Sequence, residues 1–144
     1  MYRVSIPVTT DFSGVRKEQF LEELARAKPD RVFLCGPRSA ANKWSKERFL
    51  SALQELVPLM RSRGYEVGIW VNSLGHGGSS DAHPEYTNIV TGGGIVCTDS
   101  YCPLDEAFTD EFAEWVKALA GAGLDLIMLD DDYRLGYRSG LTGC

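Results

Sequence analysis

No stretch of this 144-residue chain approaches the roughly 18 consecutive apolar residues that a membrane-spanning helix needs. Met1-Tyr2-Arg3 leads straight into a short strand pattern, without the longer apolar core of a signal peptide, so a cytoplasmic protein is expected. Basic charge is in deficit, with 15 Lys and Arg against 20 Asp and Glu, and the bases are scattered. A nucleic acid or an anionic membrane therefore has no clustered basic face to bind, and neither partner is expected. The four cysteines, Cys35, Cys97, Cys102 and Cys144, form no CxxC pair, which excludes a zinc ribbon and a thioredoxin-type site. Cys97 and Cys102 would share a metal only if Cys144 folded back onto them. Unpaired thiols are the ordinary state of a cytosolic protein, and Cys35, within an apolar run, reads as core. Neither a metal nor a cofactor is expected.

Histidine is also scarce. His76 and His83 are the two in the chain, and both fall in or beside the glycine-rich stretch Ser73 to Asp81. The glycines there match no phosphate-binding spacing and no lysine follows them, so a nucleotide cradle is excluded and a pliable active-site loop is expected. Asn72 and His76 are the residues of that loop best able to hydrogen-bond a polyol or move a proton. His83, before Pro84, reads as a loop residue.

What the chain does have is the composition of a globular protein, 44% hydrophobic and 24% charged, at a length that suits one core. A single domain over residues 1–144 is expected. Tyr2 to Val8 alternates as a first strand, and Ser13 is the expected cap of a helix whose stripe is Phe20, Leu21, Leu24 and Ala25. Lys28-Pro29-Asp30 ends that helix, and Arg31 to Gly36 is a second strand beside the first. The following loop carries Arg38, which would pair with an anionic substrate group or with acids at the same end of the sheet. Ser45 caps a helix striped by Phe49, Leu50, Leu53, Leu56, Val57 and Met60, closed at Arg63-Gly64. Tyr65 to Asn72 is a third strand. Two β-prone runs around Thr91-Gly92-Gly93-Gly94 predict a small inserted hairpin at about 86–98. Asp105 leads into a helix with Phe108, Phe112, Trp115, Val116 and Leu119 on one face, ended by Gly121-Ala122-Gly123.

The chain then reaches Leu124-Asp125-Leu126-Ile127-Met128-Leu129-Asp130-Asp131-Asp132-Tyr133-Arg134. An apolar run halting on three aspartates reads as a strand buried on both faces that delivers carboxylates to a functional rim. Asp130 and Asp132 would share one face and Asp131 the other, with Tyr133 or Arg134 relieving the crowded charge. A solvated acidic turn is the competing explanation.

The order is strand, helix, strand, helix, strand, insert, helix, strand, and the helices are long enough to be crossovers between parallel strands. An open doubly wound sheet and a (β/α)8 barrel both accept it. Four strands of parallel (β/α) units, in an α/β protein, look like the first half of a TIM barrel. The residues Leu129 to Leu135, Gly68-Ile69-Trp70-Val71-Asn72 with Gly75-His76, and Cys102-Pro103 together resemble the N-terminal half of uncharacterised glycoside-hydrolase-like TIM barrels. That resemblance implies a carbohydrate substrate, catalytic carboxylates among Asp130, Asp131 and Asp132, and substrate contacts from Asn72, His76 and Arg134, with Arg38 and Tyr133 beside them. It also implies a second carboxyl from a later strand. Two other readings stay open. An apolar strand followed by Asp-x-Asp resembles a metal-dependent A-type glycosyltransferase, with Asp130 and Asp132 on the metal. Alternatively, a truncated half barrel binds a sugar or a partner without catalysis, and its exposed sheet edges invite homo-oligomers.

Overall fold

The computed structural model describes residues 3–10, 16–35, 46–71 and 84–129. Their elements run β1 (Ser5–Thr9), α1 (Lys17–Ala27), β2 (Arg31–Cys35), α2 (Lys46–Ser62), β3 (Glu66–Val71), β4 (Asn88–Val90), β5 (Val96–Tyr101), α3 (Glu106–Ala120) and β6 (Leu126–Leu129). The fold is mixed α/β, with a parallel four-stranded sheet in the order β1-β2-β3-β6 and a separate β4-β5 pair. No helix among the described residues is long and apolar enough to cross a membrane. The chain divides into two compact units.

The first unit contains β1, α1, β2, α2, β3 and most of β6. Its registers align Ile6, Val32 and Val67 in one row and Val8, Leu34 and Ile69 in another. Paired residues of parallel strands point to the same face, so these two rows form one apolar face of the sheet. Of these six, all but half-buried Ile6 are fully buried. The sheet adds its strands in chain order without reversal. With right-handed crossovers, steps taken in one direction place α1 and α2 on the same face. Leu21 and Leu24 of α1 and Phe49, Leu53, Leu56, Val57 and Met60 of α2 are the buried helical residues.

Several local expectations are corrected. The first helix begins at Lys17 behind an extended Arg16 that makes no side-chain cap, and Ser13, the expected cap, lies outside the described residues. Helix α1 buries Leu21 and Leu24, with Phe20 half-buried and Ala25 exposed. It ends on Lys28, held in the left-handed region at φ 49° while its amide donates to the Leu24 carbonyl at 3.1 Å. Helix α2 contains Pro58, which removes the amide that would bond Gln54. Both residues lie on the exposed side of the helix, where water can satisfy the orphaned carbonyl. Strand β6 is not buried on both faces. Leu126, Ile127 and Met128 are half-buried and Leu129 is 39% exposed, because the strand ends the sheet order and pairs with β3 alone among the described residues. Cys35 is half-buried rather than core.

The second unit contains the β4-β5 hairpin and most of α3. Thr91 closes the hairpin turn: its amide donates to the Ile95 carbonyl at 2.9 Å, and its Oγ1 accepts from the Ile95 amide at 3.1 Å. Gly94 supplies the positive φ of 80° that this turn requires. The ladder slips between Asn88 and Ile89, so β5 carries extra residues against β4. Tyr86, Tyr101, Phe108 and Phe112 form the aromatic core, with Tyr86 and Tyr101 edge to face at 5.2 Å and Phe108 stacked on Phe112 at 5.9 Å.

Candidate functional site

Parallel pairing brings the C-terminal ends of β1, β2 and β3 to one rim of the first unit. The last paired row there is Thr9, Cys35 and Trp70, on the face opposite the fully buried rows. Thr9 is exposed, while Cys35 and Trp70 are half-buried. Thr10, 6% exposed, clamps the row from beneath: its Oγ1 donates to the Cys35 carbonyl at 2.9 Å and its amide reaches the same oxygen at 3.3 Å. One row inward are Pro7, Phe33 and Gly68. A Cβ placed on Gly68 would lie 2.7 Å from Phe33 Cε1 and 3.0 Å from Leu126 Cγ. The missing side chain is therefore the space that the Phe33 ring and Leu126 occupy. This face fills by alternating small and large residues, with Phe33 leaning over Gly68 in the middle row and small Cys35 beside Trp70 in the rim row.

The far end of the same face is ionic. Glu66 Oε2 accepts from Arg31 Nε at 3.0 Å, from Arg31 Nη2 at 2.7 Å and from Arg3 Nη1 at 2.8 Å. The Arg31 guanidinium stands 5.8 Å from the centre of the Phe33 ring. Polar anchoring at one end and an aromatic at the other give the face a direction.

The eight residues singled out in the sequence all lie outside the described residues. Arg38 follows β2, Asn72 and His76 follow β3, and Asp130, Asp131, Asp132, Tyr133 and Arg134 follow β6. His83, Ser45 and Cys144 lie outside them too. Cys97 and Cys102 are half-buried cysteines of the second unit. Among the described residues, no three His, Cys, Asp or Glu side chains gather as metal ligands would.

Several residues with clear work escaped the sequence reading. Asp125 bonds β3: its Oδ2 accepts from the Val67 amide at 2.8 Å, its own amide donates to the Val67 carbonyl at 2.8 Å, and its Oδ1 accepts from Arg61. Asp30 repeats the device before β2, accepting from the Val4 amide at 2.8 Å. In the second unit Asp105 caps α3 through the Phe108 amide at 3.0 Å and holds the hairpin through the Thr87 amide at 2.6 Å. The Thr87 hydroxyl, then the Phe108 and Thr87 amides, stabilise its charged form and hold its carboxyl at about 2, below the ordinary 3.8. Burial, and then the negative charge of Glu85, push the Tyr101 phenol up. An aspartate three residues before the first buried position of a helix was a readable cap signal. For Asp30 and Asp125 the signal was an acid immediately before a strand, which sequence alone does not tie to the neighbouring strand.

No protein-family model matches the sequence, and no curated protein is similar to it. Among solved structures, the chain is similar to the GH20 beta-N-acetylhexosaminidase from Streptomyces coelicolor A3(2), with a TM-score of 0.54 at 16% identity. The likeness covers 83% of this chain and 30% of that one. At that identity it is a likeness of fold alone.

Proposed function

We propose that the protein is carbohydrate-active and that this chain forms the N-terminal half of a glycoside-hydrolase-like (β/α)8 barrel, a single domain over 1–144 with a hairpin inserted around 86–98. The observation that carries this reading is the strand order β1-β2-β3-β6. A doubly wound sheet reverses its order at a switch point, where its ligand binds; this sheet steps one way throughout. Winding in one sense puts the α1 and α2 crossovers on the face opposite Pro7, Phe33 and Trp70, which is how a barrel keeps its helices in one outer ring. The likeness to the hexosaminidase supports the same architecture. In this reading about four further βα units complete the barrel.

Loops following the strands then carry the chemistry. Among Asp130, Asp131 and Asp132, one acts as acid or nucleophile on a glycosidic bond, opposite a carboxyl from a later strand. Asn72, His76, Arg38, Tyr133 and Arg134 hold the sugar hydroxyls. The name of the similar enzyme makes β-N-acetylhexosaminides the first substrates to try. Full-length gene product is incubated with aryl β-N-acetylhexosaminides and other aryl glycosides, beside Asp130→Asn, Asp131→Asn and Asp132→Asn. At least one substitution is expected to lower kcat by roughly 10²- to 10⁴-fold. Activity surviving all three discards the assignment. Stabilisation by Mn²⁺ with a nucleoside diphosphate, and none by sugars, would replace the hydrolase with a transferase.

A further inference from the structure

We draw no further inference here: the strongest candidate, the exposed apolar cluster of Val90, Ile95 and Val96 at the turn end of the β4-β5 hairpin, is an unpartnered face, and nothing in the structure shows what covers it.

Discussion

At the scale of the residue, Gly68 leaves no room for a side chain: a methyl group there meets the Phe33 ring and Leu126 at 3.0 Å or less. Gly68→Ala is expected to lower stability by about 1–3 kcal/mol in urea unfolding, as overpacked positions do, and Phe33→Leu in the same chain should return part of the loss. Asp30 and Asp125 make the same bond in different surroundings. Val67, which Asp125 serves, is fully buried, whereas Val4, which Asp30 serves, is 54% exposed. Asp125→Ala removes the side-chain partner of a part-buried amide and its ion pair with Arg61 and should cost about 1–2 kcal/mol, and Asp30→Ala, whose bond is exposed, clearly less, measured by the same unfolding series. Asp105 carries a pH dependence. Its folded pKa of about 2 lies below the ordinary 3.8, so its contribution is complete above about 4 and is lost as the pH falls through about 2. Amide exchange at Thr87 and Phe108 should accelerate across that window, and Asp105→Ala should show the fast exchange at every pH.

Elements show where periodicity was enough and where it was not. The stripes of α2 and α3 were legible because buried residues recur every three or four positions, and Phe49, Leu53, Leu56, Val57 and Met60 are buried as that spacing requires. Helix α1 was less legible at its start: a serine in a polar stretch is a cap only if the helix begins beside it, and the N-cap position is Arg16. The apolar run after Asp125 had the composition of a central strand, yet its neighbours decide burial, and β6 has one described neighbour. Helix α2 tolerates Pro58 because its packing face carries the stability. Pro58→Ala restores the missing amide and should raise the melting temperature by a few degrees, read by circular dichroism.

For the whole molecule, winding direction matters most. Strand β1 ends the sheet order among the described residues and holds Pro7, which withdraws one amide from the edge this chain presents when it stands without the further βα units of the barrel reading. Pro7→Val is expected to increase self-association, seen as a concentration-dependent rise in mass by light scattering. The sequence by itself determined the elements of the sheet and its helices, because a period of two or of 3.6 is a property of neighbouring residues along one chain. It also nominated Asn72, His76 and the acid triplet, whose positions after strands follow from connectivity. Only the tertiary structure decided the order β1-β2-β3-β6, the row that sets Trp70 beside Cys35 and Thr9, and the reach of Asp125 to Val67. Register and winding are relations between segments far apart in the chain, and they are fixed when packing selects one face of the sheet for the helices and leaves the other for Phe33 and Trp70.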